Sequence, residues 1–92
     1  MGGDPKYILH IPPEFERILK SFKKKKPDLF IRLGDSLEKI LRKPKLGKPL
    51  RNVLRNYRRV HIGSYVLVYE IRDVEVRPLD FDHHDRIYKK YR

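Results

Sequence analysis

The apolar residues of this chain change their spacing once, near residue 56, and that change limits the folds open to it. Between residues 13 and 42 they recur every three or four positions, which is the period of an amphipathic helix. From residue 57 onward they alternate with other residues or run together in short blocks, which is typical of β-strands. A chain that passes from helices to strands in this way favours the α+β class.

Prolines mark the limits of two predicted helices. The first begins at Pro13, because the first turn of a helix needs no amide donor there, and it ends in the run of lysines before Pro27. The second has Asp28 as its predicted N-cap and ends before Pro44. The short basic turn between them predicts an antiparallel pair of helices.

Short strands separated by turn residues account for the rest of the chain. They are predicted at residues 7–11, 57–62, 65–71 and 74–81. Gly63 and Ser64 form the turn of a hairpin, and the last strand is bulged or ends at Pro78, which cannot donate to a sheet ladder. We expect one domain over residues 1–92, with an N-terminal strand, a two-helix hairpin and a three-stranded antiparallel meander. Both helices should lie on one face of the sheet.

The chain is strongly basic, with 23 lysines and arginines against 12 aspartates and glutamates and a net charge of +11. Such an excess favours a polyanionic partner, namely nucleic acid, an anionic membrane surface or an acidic protein. The hydrophobic residues come in periodic blocks, which indicates a folded core rather than a disordered basic tail. Since the chain has no cysteine and no apolar stretch near the ~20 residues that span a bilayer, we expect a cytoplasmic protein without membrane association.

The predicted central hairpin has one apolar and one basic face. Arg59 and His61 point to the side opposite Val60, because side chains alternate along a strand. In the next strand Tyr65 and Tyr69 share a face with apolar neighbours, so we expect both in the core. With the helices on the apolar face, the basic face is left for function.

The element order and the pattern between residues 46 and 88 resemble the RelE/ParE toxin superfamily. The pattern consists of GKPL at 47–50, YRRVHIG at 57–63, a hydrophobic strand from Tyr65 to Tyr69, and HHDRIY at 83–88. The resemblance implies a toxin of a type II toxin–antitoxin system, with a cognate antitoxin as partner. RelE-type members are ribosome-dependent mRNA endonucleases that need no metal: the mRNA 2′-hydroxyl attacks the neighbouring phosphate. The resemblance therefore implies inhibition of translation, mRNA and the ribosome as partners, and no cofactor.

The resemblance also assigns roles to individual residues. Arg59 and His61 occupy positions at the scissile phosphate, and the C-terminal Tyr88 lies near a basic cluster. Histidine titrates near neutral pH and suits acid–base work, while the planar guanidinium of arginine matches two phosphate oxygens. The predicted catalytic set is Arg59, His61, His83, His84 and Tyr88. The predicted RNA-binding set is Arg51, Arg55, Arg58 and Arg86, with Arg58 joining Arg59 on the phosphate.

One position departs from the family pattern. Val66 stands where members usually carry an arginine that stabilises phosphate charge. This favours, as an alternative, a non-catalytic inhibitor of DNA gyrase of the ParE type; a plain RNA-binding domain of the same fold is a further alternative. No metal site is expected at His83 and His84, because adjacent residues of an extended chain point apart and no cysteine or third histidine stands at ligand spacing.

Overall fold

A computed structural model of the chain describes residues 6–50 and 56–91. Within these residues the elements are, in order, β1 (Ile8–Leu9), α1 (Pro13–Lys25), α2 (Pro27–Arg42), a 3₁₀ turn (Pro44–Leu46), β2 (Lys48–Pro49), β3 (Tyr57–Ile62), β4 (Tyr65–Arg72), β5 (Glu75–His83) and α3 (His84–Lys90). The predicted α+β class and both predicted helices are confirmed. None of the helices within the described residues is long and apolar enough to cross a membrane.

The strands form one sheet in the order β1-β5-β4-β3-β2. The predicted meander is confirmed, since β3 pairs with β4 and β4 with β5, all antiparallel. Two short strands extend it at its edges. β1 lies parallel to β5 at one edge, and β2, which the sequence placed in a loop, pairs antiparallel with β3 at the other.

Strand β5 is irregular beside its proline, as predicted. Val68 pairs with Asp80 and Tyr69 with Pro78, so Leu79 has no partner across the ladder. Such a bulge lets the strand continue past a residue that lacks an amide donor. The strand therefore runs on to His83 instead of ending near residue 81.

The start of α2 and the turn of the last hairpin also lie one or two residues from their predicted positions. Asp28 is not the N-cap of α2, because the helix already begins at Pro27, whose fixed φ suits the first helical position. Lys26 takes the cap position without a side-chain hydrogen bond. The last hairpin turns at Asp73 and Val74, one residue later than predicted, and Asp73 has a φ of 55° there. An aspartate tolerates this left-handed conformation better than a valine would.

The sheet has a core on each face. Between the sheet and the helices α1 and α2 lies the larger one, built on Phe15, Leu33, Ile40, Leu67 and Tyr69. The opposite face has a smaller core of Leu50, Val66, Val68 and Ile87. This corrects the expectation of an open functional face: α3 covers part of it through the buried Ile87, and His61 of β3 remains exposed.

Candidate functional site

Helix α3 brings Tyr88 against His61 of β3. The helix begins where the His83 side chain accepts a hydrogen bond from the amide of Asp85 (3.3 Å), and Ile87 anchors it to the sheet. Tyr88 follows Ile87 and lies at the exposed edge of the helix, with its Oη 3.0 Å from Nε2 of His61. Either group donates this hydrogen bond, depending on the tautomer of His61. Two residues 27 positions apart thus form one polar pair at the surface.

The two histidines at the start of α3 extend this group. The ring centroid of His84 lies 6.4 Å from that of Tyr88, and the rings of His83 and His84 are 4.3 Å apart. His61, Tyr88, His84 and His83 therefore form a continuous row of side chains, which we call the His–Tyr row. Four of the five residues predicted to be catalytic meet here.

Asp85 lies against both histidines. Its carboxylate oxygens are 3.0 Å from Nδ1 of His84 and 3.7 Å from Nδ1 of His83. The expectation that His83 and His84 point apart is wrong, because the chain turns from β5 into α3 between them. Their potential metal-ligating atoms and those of Asp85 lie within 4.8 Å of one another. The two imidazoles, however, are stacked with only 32° between their planes. An ion in the plane of one ring is out of the plane of the other, so the stacked rings are poorly placed for joint metal ligation.

Arg59, the fifth predicted catalytic residue, lies two residues before His61 on the same face of β3. Its Nη1 donates to the carbonyl of Pro49 at 3.3 Å, and Lys48 of β2 lies opposite it in the sheet. Its Nε is buried and has no hydrogen-bond partner among the described residues. A buried donor without a partner costs about 1–3 kcal/mol, so this position is not optimised for stability alone.

The residues predicted to bind RNA do not gather beside His61. Arg58 points to the opposite face of β3, where its Nη1 donates to the carbonyls of Gly47 (2.6 Å) and Lys45 (3.4 Å). Arg58 therefore stabilises the loop before β2. Arg86 is exposed and paired with Asp82 at 3.0 Å. The remaining predicted residues, Arg51 and Arg55, lie outside the described residues.

Sequence reasoning missed the contribution of α2. Ser36 and Lys39 line the surface next to His61, and the Arg32 guanidinium lies against Gly63, 3.2 Å from where a Cβ would stand. Their spacing of three or four residues marks a polar helix face, but a polar face ordinarily meets solvent. Only the packing of α2 against β3 shows that it borders the site.

The C-terminal end of α3 is held by a buried carboxylate. Lys90 Nζ lies 3.0 Å from Oδ2 of Asp80, and the Tyr91 hydroxyl makes a longer contact of 3.5 Å with the same atom. Burial, and after it the charge of Asp80, raises the pKa of Tyr91 to about 12. Tyr91 is therefore neutral at physiological pH and remains a hydrogen-bond donor, which helps to keep Tyr88 over His61.

Comparisons with known proteins point to a toxin family. Residues 9–88 match the family described as the ParE toxin of type II toxin–antitoxin system, parDE. A putative toxin RelE4 of Methanocaldococcus jannaschii is 37% identical over 87 residues, which cover 91% of this chain and 93% of that protein. An uncharacterized protein of Methanosarcina mazei is 39% identical over 87 residues, or 89% of this chain and 99% of that one.

Solved structures show the same fold. The toxin–antitoxin complex RelBE2 of Mycobacterium tuberculosis contains a chain with a TM-score of 0.70 and 28% identity, covering 86% of this chain and 99% of that one. A chain of the YoeB–YefM complex of Staphylococcus aureus has a TM-score of 0.73 at 19% identity, with 87% and 99% coverage. A mutant of the Escherichia coli toxin RelE in the free state has a TM-score of 0.70 at 23% identity, with 95% coverage of each chain. The chain therefore belongs to the ParE toxin family of type II toxin–antitoxin systems, within the RelE/ParE superfamily.

Proposed function

We propose that this protein is an endoribonuclease toxin that cleaves mRNA on the ribosome and so stops translation. The main support for this proposal is the 3.0 Å hydrogen bond between His61 Nε2 and Tyr88 Oη at the edge of a basic surface, with His84 beside it. These groups supply the acid–base chemistry that cleavage of RNA by its own 2′-hydroxyl requires.

The reaction assigns a task to each group. His61 removes the proton from the 2′-hydroxyl, whose oxygen bonds to phosphorus and forms a five-coordinate phosphorane. Arg59 stabilises the added negative charge with its guanidinium. The bond to the 5′-oxygen then breaks, and protonated His84 gives its proton to that oxygen, leaving a 2′,3′-cyclic phosphate and a 5′-hydroxyl. The carboxylate of Asp85, 3.0 Å from His84 Nδ1, holds this imidazole in position for that step.

Tyr88 orients His61 and offers a ring to the substrate. Its hydrogen bond fixes the imidazole of His61, and 40% of the residue remains exposed. An exposed aromatic face is a surface on which an unpaired base stacks. We propose that Tyr88 holds the imidazole and the nucleotide beside the scissile phosphate in one arrangement.

Cleavage of a defined mRNA on programmed ribosomes tests the proposal. The purified protein should cut the mRNA only when ribosomes are present and should leave a cyclic phosphate, identified by end mapping. His61→Ala should lower the rate by about 10²-fold or more, the usual contribution of a general acid or base. Lys24→Ala, in the exposed basic end of α1, is the matched control and should cleave like the wild type. Equal rates for the two variants would contradict the role of His61.

A non-catalytic toxin of the ParE type is the second candidate, and Val66 favours it. Its side chain is fully buried under α3 with Val68 and Ile87, so the position where relatives usually offer an arginine to the phosphate is apolar and covered. The family that matches residues 9–88 is also the ParE family. Inhibition of gyrase-catalysed DNA supercoiling without ribosomal mRNA cleavage would establish this function. A protein that binds RNA but neither arrests growth nor shows either activity would be a plain RNA-binding domain.

We also propose that a cognate antitoxin neutralises the protein in the cytoplasm, where its target lies. Its family consists of toxins of toxin–antitoxin systems, and the M. tuberculosis relative is part of a toxin–antitoxin complex. The net charge of +11 suits an acidic, amphipathic antitoxin segment. Co-expression with the protein encoded by the neighbouring gene should restore growth and yield a complex that co-purifies.

A further inference from the structure

A groove lies along one edge of the sheet, between α2 and the end of β3. β2 pairs with β3 only at Arg58 and Arg59, so among the described residues no strand covers the outer edge of residues 60–62. Two adjoining pockets of about 480 and 280 Å³ open there, and both are lined by Ser36, Lys39 and His61. We call the two together the α2–β3 groove. His61 therefore faces the groove on one side and Tyr88 on the other.

The lining combines positive charge with a small apolar surface. Its cationic side chains are Arg32, Lys39, Lys48 and Arg59, and Asp35 adds one carboxylate. The ion pairs formed within residues 6–50 and 56–91 include none with Arg32, Lys39 or Lys48. Leu46, which is 49% exposed, and Val60 give the groove its apolar part. Uncompensated cations beside an apolar surface match the phosphate and the base of a nucleotide.

We propose that the α2–β3 groove binds a nucleotide of single-stranded RNA next to the scissile phosphate, with Lys39 and Lys48 on its backbone phosphates and its base against Leu46. This inference rests on the proposed function. An RNA strand whose phosphate lies at His61 must continue on both sides, and the groove is the concave cationic surface that adjoins His61 opposite Tyr88. Its larger pocket, at about 480 Å³, falls within the size range of small-molecule sites. A pocket of this size matches one nucleotide.

If RNA binds in the groove, substitutions of two residues one helical turn apart on α2 should change RNA affinity in opposite directions. Lys39→Ala removes a phosphate contact, whereas Asp35→Asn removes a repulsive carboxylate from the same groove. Binding is measured by fluorescence anisotropy with a short 2′-O-methyl oligoribonucleotide, which lacks the attacking hydroxyl and stays intact. Lys39→Ala and Lys48→Ala should each weaken binding about fivefold at low salt and lower the slope of log Kd against log salt by about 0.7, the value for one phosphate of a single strand. Asp35→Asn should strengthen binding.

Lys20→Ala is the charge-matched control, because Lys20 is exposed on α1 and does not line the groove. It should leave the salt slope unchanged. If Lys39→Ala and Lys48→Ala behave like this control, the groove does not bind RNA, and a protein partner becomes its better occupant. The ribosomal cleavage assay distinguishes an error in the groove proposal from an error in the proposed nuclease function. Loss of cleavage in His61→Ala together with control-like binding by the lysine variants would overturn only the groove. Reduced binding by the lysine variants, with no cleavage by the wild type, would overturn only the nuclease.

Discussion

At the scale of single residues, Tyr69 decides where the loop before β2 lies. Its buried hydroxyl accepts a hydrogen bond from the amide of Gly47 (2.9 Å) and donates one to the carbonyl of Pro44 (2.6 Å). Burial raises the pKa of this phenol, so it stays protonated and able to donate. A Cβ on Gly47 would lie 2.7 Å from the carbonyl oxygen of Arg59 and 2.8 Å from Tyr69 Oη, which excludes larger residues. The loop that carries Lys48 is thereby fixed beside β3.

We expect Tyr69→Phe to destabilise the protein by about 1–3 kcal/mol, because the buried amide of Gly47 and the carbonyl of Pro44 lose their partner. Tyr65→Phe is the matched control. Among residues 6–50 and 56–91, its hydroxyl accepts a hydrogen bond only from the exposed Lys26, at 2.8 Å, and its loss should change stability by no more than about 0.5 kcal/mol. Urea unfolding of both variants measures the difference. Equal losses would show that the Tyr69 hydrogen bonds do not hold the loop.

At the scale of elements, α3 depends on tertiary contacts for its position. It has seven residues, too few to be stable as an isolated helix. Its position depends on Ile87, which is buried against Val66 and Val68, and on the contacts of Lys90 and Tyr91 with Asp80. Because Tyr88 lies on this helix, anything that loosens α3 also removes Tyr88 from His61.

The raised pKa of Tyr91 predicts a loss of stability at alkaline pH. The unfolded chain ionises this phenol near its ordinary pKa of 10.0, whereas the folded chain keeps the proton up to about pH 12. Between these values the folded state binds more protons, so the free energy of unfolding falls as the pH rises. The contribution of Tyr91 is complete below pH 10 and is lost through pH 12.

Tyr91→Phe lacks this contribution, so its stability difference from the wild type should shrink as the pH rises from about 9 to about 12. Part of the alkaline loss should persist in the variant, because burial raises the pKa of Tyr69 as well. Urea unfolding at several pH values measures both. A difference that stays constant over this range would rule out the coupling between Tyr91 ionisation and folding.

At the scale of the whole molecule, positive charges outnumber negative charges. The net charge is +11, and several of the ion pairs within the described residues join neighbours in sequence, such as Arg72 with Glu70 and Arg77 with Glu75. Such pairs, local in sequence and still partly open to solvent, contribute little to stability. The folded state therefore contains a mutual repulsion that an anionic partner would relieve.

We expect the thermal midpoint to rise as sodium chloride is raised from about 0.01 to about 0.1 M, because the screening length falls from ~30 to ~10 Å. Lys24→Glu, which lowers the net charge from +11 to +9 within an exposed lysine run, should weaken this dependence. Thermal unfolding followed by circular dichroism gives both midpoints. A midpoint that does not respond to salt would show that repulsion does not limit stability.

The His–Tyr row shows how far the site could be predicted. His61, His83, His84 and Tyr88 were identified from their residue types and the family pattern, and the structure brings them together. Arg58 was grouped with Arg59, but alternation along β3 turns it to the other face, where loop carbonyls hold it. Asp85 was not identified. Its contact with both histidines exists only because the strand ends and a helix begins at residue 84.

The sequence by itself determined both long helices, the central hairpin and its basic face. These features depend on local rules: the period of the apolar residues, the fixed φ of proline and the turn preference of glycine. Only the tertiary structure decided that Ile8 pairs in parallel with Glu75, that α3 covers Val66, and that Lys39 borders His61. Each of these contacts joins residues far apart in the chain. Apolar periodicity states which side of an element is buried, but only packing decides which other element buries it.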